Sequence, residues 1–285
     1  MPSPTVLDTK RDRLIEILQG YEHVVVAFSA GVDSTVVAKA AWLACGENAE
    51  AVTAVSSSLA SGELDEAKEL AAKIGIRHRV IHTQEFANSD YAKNAPDRCY
   101  FCKTELYDQL ERLLSESVGN DVVIVNGANL DDRGDHRPGM RAASEHHVRS
   151  PLIEAGLNKT DVRELARSWD LPVWDKPAMP CLSSRIAYGV EVTPERVRRV
   201  DAAEQFLRQT FGFREFRVRH EAGELARIEV PLADLPTLLE PSHRERVTAE
   251  FKRLGFRFVT VDLEGFRSGS LNVVIPVEQL QRFSS

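Results

Sequence analysis

The sequence predicts an α/β protein with a smaller α+β unit at its C-terminal end. Short apolar runs alternate with helical patterns through residue 178, which is typical of parallel strands covered by helices on both faces. Beyond that point the predicted order is helix, strand, strand, helix, strand, which is typical of an α+β unit. We therefore predict a Rossmann-like parallel sheet in a domain of residues 1–178, and a second domain of residues 179–285.

In the first domain, Leu14, Ile15, Ile17 and Leu18 give a first helix its apolar face. Apolar runs that follow predict strands at 24–28, 51–56, 77–82, 121–127 and 147–150. Helical periodicity predicts helices at 10–18, from about 33 to 45, and at 63–74, 105–114 and 159–169. Because ligands of parallel sheets bind beyond the carboxyl ends of the strands, the loops after these strands are expected to surround one crevice.

The stretch 171–177 contains two prolines and breaks the periodicity, which marks the end of the first domain. In the second domain we predict a helix at 194–211, where Pro194 occupies the first turn. Strands at 215–219 and 226–230, a helix at 244–254 and a strand at 257–262 complete the prediction.

The composition limits the classes of function. The chain has 285 residues, 43% of them hydrophobic, and a formal net charge of −7. This acidity argues against a nucleic-acid partner, which normally requires basic surface. Apolar runs are too short for a membrane span, and Met1-Pro2-Ser3-Pro4 does not begin a signal peptide, so we expect a cytoplasmic protein. Four cysteines then indicate thiol or metal chemistry rather than disulfides.

A strand–turn–helix stretch beginning at Val24 carries the first chemical signal. The apolar run ends at Ser29, a tight turn follows, and Asp33 is placed to act as the N-cap of the next helix. Small residues allow backbone N–H groups to converge at a helix N-terminus, which is a favourable site for an anion. The stretch lacks the lysine of a Walker A motif. An ordinary strand-to-helix turn is the alternative interpretation.

This stretch resembles the pyrophosphate loop, S-G-G-x-D-S, of enzymes that split ATP into AMP and pyrophosphate. Ala30 departs from that pattern, and we expect it to be tolerated if its φ is negative. We predict that Ser56 and Gly127, which end two other strands, reach the same ATP. The predicted ATP-binding residues are Ser29, Gly31, Val32, Asp33, Ser34, Thr35, Ser56 and Gly127.

The loop after the fourth predicted strand contains Asp131, Asp132 and Asp135. Carboxylates beside a phosphate site suit Mg²⁺, which prefers oxygen ligands and is often shared with substrate phosphates. We therefore predict these residues as magnesium ligands. A solvated acidic turn with internal Asp–Arg pairing is the alternative.

Three of the four cysteines form the second chemical signal. Cys99 and Cys102 form a C-x-x-C pair, and together with Cys181 they could ligate three irons of a [4Fe–4S] cluster, leaving the fourth iron open. Half a zinc site, a redox dithiol and coincidence are the alternatives. Cys45 lies in an apolar helix, and we predict it as a core residue.

Two further groups of residues are predicted to meet the substrate. Cys181 is followed by Ser183, Ser184 and Arg185, a setting that favours thiolate and anion binding. Arg217 and Arg219 are two apart on a predicted strand and point to one face. Because guanidinium groups bind carboxylates and phosphates through two parallel hydrogen bonds, we predict this pair as a substrate clamp. A solvated strand face paired with Glu221 or Glu229 is the alternative.

Taken together, these motifs resemble the LarE family through nearly the whole chain and in the right order. The resemblance rests on five stretches: 29–35, 97–103, 127–139, 181–185 and 217–220. It extends to the segments 226–229 and 262–272.

The resemblance implies an ATP-dependent sulfur transferase of nickel-pincer nucleotide cofactor synthesis, assembled as a homohexamer. Its substrate would be pyridinium-3,5-biscarboxylic acid mononucleotide, whose carboxylates are adenylated and then converted to thiocarboxylates. Some family members sacrifice the sulfur of the cysteine that matches Cys181, which becomes dehydroalanine. Others hold a cluster that carries a transferable sulfide on cysteines matching Cys99, Cys102 and Cys181. We favour the cluster, since it accounts for all three cysteines.

Catalytic roles are therefore predicted for Cys181, Asp33 and Arg185, and ATP, Mg²⁺ and a [4Fe–4S] cluster are the predicted cofactors. Another enzyme of the same ATP fold that inserts sulfur into tRNA is one alternative, and a nucleotide-binding sensor without catalysis is another.

Overall fold

The computed structural model describes residues 5–117, 122–133 and 138–267. The first half of the chain folds into α1 Val6–Gln19, β1 His23–Ala27, α2 Val32–Cys45, β2 Ala49–Val55, α3 Glu63–Ile74, β3 Arg77–His82, α4 Ser89–Ala92, α5 Arg98–Ser117 and β4 Val122–Val125. The second half contains α6 Pro138–Glu145, α7 Pro151–Glu154, α8 Lys159–Ser168, α9 Pro194–Phe211, β5 Arg217–Glu221, β6 Leu225–Glu229, α10 Leu235–Leu239, α11 Pro241–Arg253 and β7 Phe258–Val261.

The larger sheet is parallel, with the strand order β3-β2-β1-β4. Val24 of β1 pairs with Ala49 of β2 on one side and with Val123 of β4 on the other. The predicted Rossmann-like sheet is therefore confirmed. Its central strand is β1, and the turn after β1 is the predicted anion loop.

The prediction of a strand at 147–150 is wrong. Arg149 makes an isolated parallel bridge to Val125. A turn with His147 at a φ of +53° precedes this bridge, and α7 begins at Pro151 directly after it. The extended stretch between the turn and the helix is therefore too short to continue the ladder.

Alternating residues of β1 explain why its sequence is apolar throughout. Val24 and Val26 pack into a core formed with α1, α2, α3 and α8, whereas Val25 packs into a core on the other face with α5 and α6. Both faces of a parallel strand are thus buried. The half-buried Cys45 packs against the first of these cores and donates its thiol to the Leu18 carbonyl at 3.3 Å, as expected for a core residue.

A second, smaller sheet has the order β5-β6-β7. β5 and β6 are antiparallel, with Val218 opposite Ile228, and β7 runs parallel to β6. Buried residues of α9, the sheet and α11 form its core. The predicted α+β order is confirmed, with the short α10 added, while the boundary at residue 178 stays a prediction. Within the described ranges, no helix combines the length and apolarity that a membrane crossing requires.

A buried asparagine joins the segment before α5 to the segment after Cys181. Asn94 has a φ of +56° and is fully buried. Its side-chain Nδ2 lies 2.8 Å from the Ala187 carbonyl, 2.9 Å from that of Val190 and 3.2 Å from that of Ile186. The Asn94 amide thus connects two segments that are distant in sequence.

We predict that Asn94→Ala lowers the free energy of unfolding by about 2–4 kcal/mol, because it leaves buried carbonyl groups without a donor. Urea denaturation of the purified protein measures this loss. Asn88→Ala is the control, since it removes an exposed N-cap that bonds the Asp90 N–H and should cost about 1 kcal/mol. Equal losses in the two variants would contradict the linking role of Asn94.

Candidate active site

The turn between β1 and α2 forms a compact loop held by its own side chains. Gly31 is the N-cap of α2, with extended backbone and no side-chain cap. Ser34 Oγ donates to the Gly31 carbonyl at 3.1 Å, and Thr35 Oγ1 donates to the same oxygen at 2.8 Å. Ser34 Oγ also accepts from the Ser29 N–H at 3.3 Å. The hydroxyl groups of the buried Ser34 and Thr35 therefore hold the backbone of the loop in this conformation.

Two expectations about this loop are wrong. Ala30 has a φ of +56°, not a negative φ, so an L-residue here occupies a left-handed conformation that glycine adopts more easily. Asp33 is not the N-cap, because the helix already begins at Val32. Its position in the first turn is still favourable for a carboxylate.

Asp33 instead connects the loop to two other elements. Its Oδ1 accepts from Asn129 Nδ2 at 3.0 Å, and its Oδ2 accepts from Lys159 Nζ. Asn129 follows β4, and Lys159 is the first residue of α8. The Asp33 carboxylate therefore ties the anion loop to the carboxyl end of the neighbouring strand.

Gly127 allows the loop after β4 to approach α2 closely. A Cβ built at Gly127 would lie 2.7 Å from the Ser34 backbone nitrogen and 3.1 Å from its Cα. Backbone atoms cannot move aside as a flexible side chain can, so only glycine fits at this position.

A cavity of about 500 Å³ opens at the carboxyl edge of the large sheet. The predicted site residues that line it are Ser29, Gly31, Val32, Asp33, Ser56, Cys102, Cys181 and Arg185. The anion loop and two of the three predicted sulfur-site cysteines thus face one space. Glu85, Lys103, Lys159 and Lys176 also line this cavity, and sequence reasoning assigned no role to any of these four.

The cysteine pair lies on a helix rather than before one. We predicted that this helix begins at Glu105, but α5 begins at Arg98, so Cys99 and Cys102 are its second and fifth residues. Residues three apart on a helix share a face. Burial, followed by the nearby Cys181, raises the pKa of the Cys102 thiol to about 12.

The three cysteines fit an iron–sulfur cluster by the chemistry of their side chains. Cys99 and Cys181 are exposed, Cys102 is half-buried, and no disulfide joins any of them. Cys102 and Cys181 line the same cavity, and Cys99 shares a helix face with Cys102. Cys102 and Cys181 at one opening, with Cys99 on the same helix face as Cys102, supply the three thiols that a cluster with an open iron requires.

Cys181 is held through its backbone. Ser184 Oγ donates to the Cys181 carbonyl at 2.7 Å, and Arg185 Nη1 donates to the same oxygen at 3.2 Å. Arg185 is itself buried and pairs with Glu204 at 3.0 Å. Arg185 and Ser184 therefore fix the Cys181 main chain, and the charge of Arg185 is balanced by Glu204.

Ser183 belongs to a buried group of three hydroxyls that sequence reasoning missed. Its Oγ lies 2.7 Å from Tyr91 Oη and 2.9 Å from Ser58 Oγ, and these last two atoms are 2.8 Å apart. Burial raises the pKa of the Tyr91 hydroxyl. Ser58 follows β2 and Tyr91 lies on α4, so no local pattern in the sequence could have grouped them with Ser183.

The two arginines of β5 are both buried, contrary to the alternative of a solvated face. Arg219 pairs with Glu229 at 2.8 Å and donates to the Ser184 carbonyl at 3.1 Å. Arg217 donates to the Ala178 carbonyl at 3.0 Å. Burial, followed by the charge of Arg185, lowers the pKa of Arg217 to about 10.

The acidic loop is described in part, since Asp135 lies outside the described residues. Asp131 Oδ2 accepts from the Lys159 backbone N–H, and Asp132 Oδ2 accepts from the Asn129 N–H, each at 2.9 Å. Both carboxylates thus cap backbone and do not by themselves fit a cation bound in the cavity. The magnesium ligands stay a prediction.

Comparisons with known proteins show which families resemble this chain. A family model of NAD synthase matches residues 11–105, which include the anion loop and the C-x-x-C pair. An uncharacterized protein of Synechocystis sp. is 44% identical over 270 residues, covering 95% of this chain and 99% of that protein.

A relative with a named activity decides the family. Pyridinium-3,5-bisthiocarboxylic acid mononucleotide synthase of Lactiplantibacillus plantarum is 38% identical over 280 residues, covering 98% of this chain and 99% of the relative. The chain belongs to the LarE family. It is an enzyme whose fold is that of the ATP-using pyrophosphate-loop superfamily.

A more distant relative shares part of the chain. The tRNA-specific 2-thiouridylase of Azorhizobium caulinodans is 30% identical over 191 residues, which cover 54% of this LarE family member and 49% of the relative.

We predict that Gly127→Ala lowers the free energy of unfolding by about 1–3 kcal/mol, the usual cost of overpacking a dense interior, and also weakens ATP binding. Urea denaturation and calorimetric titration with ATP measure the two effects. Gly31→Ala is the control for stability, since its Cβ would meet Ser29 Oγ at 3.5 Å, an ordinary contact. A Gly127→Ala protein as stable as Gly31→Ala would contradict the close approach.

Proposed function

We propose that this chain uses ATP to convert the carboxylates of pyridinium-3,5-biscarboxylic acid mononucleotide into thiocarboxylates for nickel-pincer nucleotide synthesis. The synthase activity of the Lactiplantibacillus relative supports this substrate. The observation that carries the proposal is the shared cavity, which is lined by the anion loop and by Cys102 and Cys181. Activation by ATP and delivery of sulfur could then occur on one bound substrate.

The first chemical step is activation of a carboxylate, because sulfur nucleophiles do not displace oxide from it directly. A substrate carboxylate oxygen attacks the α-phosphorus of ATP, the α–β bond breaks, and pyrophosphate leaves. The convergent N–H groups after Ser29 and the N-terminus of α2 would stabilise the charge on the departing pyrophosphate. Asp33 would act here by holding the loop and Lys159 in place.

The second step replaces AMP by sulfur. A sulfur nucleophile attacks the acyl carbon, and AMP leaves with the electron pair of the broken C–O bond. Cys99, Cys102 and Cys181 would hold the predicted [4Fe–4S] cluster. When bound, such a cluster supplies a transferable sulfide.

In the alternative chemistry Cys181 itself is the donor. Its sulfur would form a thioester with the acyl carbon as the thiol proton and AMP depart. Elimination would then remove the Cα proton of this residue to a base and break the Cβ–S bond, so that the sulfur leaves on the product as a thiocarboxylate and the residue becomes dehydroalanine. The exposure of Cys181 is compatible with this route.

The buried arginines near Cys181 support a role in substrate binding. Arg217 donates hydrogen bonds to the backbone carbonyls of Phe216 and Ala178. These acceptors are neutral, so the two hydrogen bonds do not neutralise the guanidinium charge. Ala178 lies three residues before Cys181. A substrate phosphate or carboxylate bound to Arg217 would therefore be close to the sulfur site, with Ser183, Ser184 and Arg219 fixing its surroundings. We also retain the homohexamer and the cytoplasmic location as part of this proposal.

Thiolation of tRNA is a second candidate, supported by the partial match to the 2-thiouridylase. The net charge of −7 is unfavourable for a large nucleic-acid surface. A sulfur-transfer assay that offers tRNA and the pyridinium mononucleotide in parallel separates the two. Product formation on tRNA alone would overturn the proposed substrate.

We predict that Arg217→Ala weakens binding of the pyridinium mononucleotide by about tenfold to a hundredfold, the value of one charge-assisted contact. ATP affinity should be nearly unchanged. Calorimetric titration of each ligand measures both. Arg217→Lys keeps the charge and should lose less affinity. Equal weakening of both ligands would instead indicate a folding defect.

We predict that Cys99→Ala and Cys102→Ala are as inactive as Cys181→Ala, and that all three lose the iron–sulfur absorbance of anaerobically purified protein. Cys45→Ala is the matched control and should retain both activity and absorbance, because Cys45 packs in the core away from the cavity. The sacrificial alternative predicts a different result. An active Cys99→Ala protein, with a wild-type mass lower by about 34 Da after one turnover, would exclude the cluster.

A further inference from the structure

Glu85 is a buried carboxylate that the proposed reaction does not use. It begins the single helical turn Glu85–Ala87 after β3, is 2% exposed and lines the cavity. Its Oε1 accepts hydrogen bonds from Ser56 Oγ and, at 3.3 Å, from Ser58 Oγ. Its Oε2 is buried and has no hydrogen-bond partner within the described part of the chain. Buried carboxylate oxygens normally have donors, so this atom is suited to accept one from a ligand.

The strand order fixes where Glu85 lies relative to the anion loop. Glu85 follows β3 and the anion loop follows β1, with β2 between them. Adjacent strands are about 4.8 Å apart, so β3 and β1, from which the two groups follow, are about 10 Å apart at the carboxyl edge of the sheet. Ser56 and Ser58, which follow β2, occupy the intervening position. This separation suits a nucleotide that spans both ends.

The two ends of the cavity favour different parts of a nucleotide. The end at the anion loop has the N-terminus of α2, which attracts phosphates, beside the ion pair of Lys159 with Asp33. At the other end Glu85 presents an oxygen that accepts hydrogen bonds, and the cavity lining there also includes the cation Lys103. Apolar side chains of Phe28, Val52 and Leu106 also line the cavity. The helix N-terminus therefore suits the phosphates of ATP, and the acceptor atom of Glu85 suits a donor on its nucleoside.

We propose that Glu85 Oε2 accepts a hydrogen bond from the nucleoside part of ATP and thereby sets the selectivity of the site for that nucleoside. The donor is the 6-amino group of adenine or a ribose hydroxyl, which present the same N–H or O–H chemistry. The assignment rests on the proposed activation by ATP. It gives a recognition role to a residue that carries no sequence motif.

The test is calorimetric titration of full-length protein with four nucleotides in the absence of the pyridinium substrate, so that no turnover occurs. These are ATP, inosine triphosphate, which lacks the 6-amino group, and 2′-deoxy-ATP and 3′-deoxy-ATP, which each lack one hydroxyl. Wild-type protein should bind one of the three analogues about tenfold more weakly than ATP, and that analogue identifies the donor. Glu85→Gln should bind ATP about tenfold more weakly but should show no further loss for that analogue.

Glu105→Gln is the matched control, because Glu105 accepts from the Gln84 N–H next to Glu85 but is not part of the cavity lining. It should bind all four nucleotides as the wild type does. Equal affinity of wild-type protein for all four nucleotides overturns the proposal without any variant. So does a Glu85→Gln protein that loses the same factor for every nucleotide. If wild-type protein fails to bind ATP at all, the proposed function falls together with this assignment.

Discussion

The buried ion pair between Arg185 and Glu204 is the interaction on which the sulfur site depends. Glu204 Oε1 accepts from Arg185 Nε at 3.0 Å and from the Val218 N–H at 3.1 Å, so one carboxylate joins α9, β5 and the segment after Cys181. Arg185 passes this constraint to Cys181 through hydrogen bonds to the Pro180 and Cys181 carbonyls. Breaking such a pair costs about 3–5 kcal/mol, because one charge remains buried alone. The position of the Cys181 backbone therefore depends on the second sheet as well as on Ser184 of its own loop.

Arg98, the first residue of α5, also contacts the segment after Cys181. Arg98 is buried and donates to Asn94 Oδ1 and, at 2.8 Å, to the Ser183 carbonyl. The next residue after Arg98 is Cys99, so a displacement of α5 would move Ser183 and the cysteine pair together. Each of these contacts buries polar atoms, which is favourable only when all of them are satisfied. The network therefore holds the two cysteine segments, which are distant in sequence, in one arrangement. Substitution of a residue in this network would leave buried polar atoms without partners.

The features that the sequence predicts correctly are those with a local signal. Apolar runs predict β1 to β4, and the Ser29–Thr35 turn predicts the anion loop, because burial on both faces and a tight turn each leave a pattern within a few residues. The features that differ from the predictions are those whose geometry depends on neighbours in space. Ala30 adopts a positive φ because the surrounding turn requires it, and α5 begins at Arg98 because Arg98 is held by Asn94 and Ser183. The hydroxyl group of Tyr91 joins residues 33 and 92 positions away, which no periodicity reveals.

The same distinction applies to charge. A sequence shows that Arg185, Arg217 and Arg219 are present, but their chemistry depends on which carboxylates they meet after folding. Glu204 offsets Arg185 and Glu229 pairs with Arg219, while Arg217 is held by two backbone carbonyls and its pKa is lowered to about 10 by burial. A cation in that setting gains from an anionic ligand more than a solvated one does, since burial has already removed its water. The fold thus pairs two of these three similar side chains with carboxylates and holds the third through backbone carbonyls, which supports the proposed role of Arg217 in binding a substrate anion.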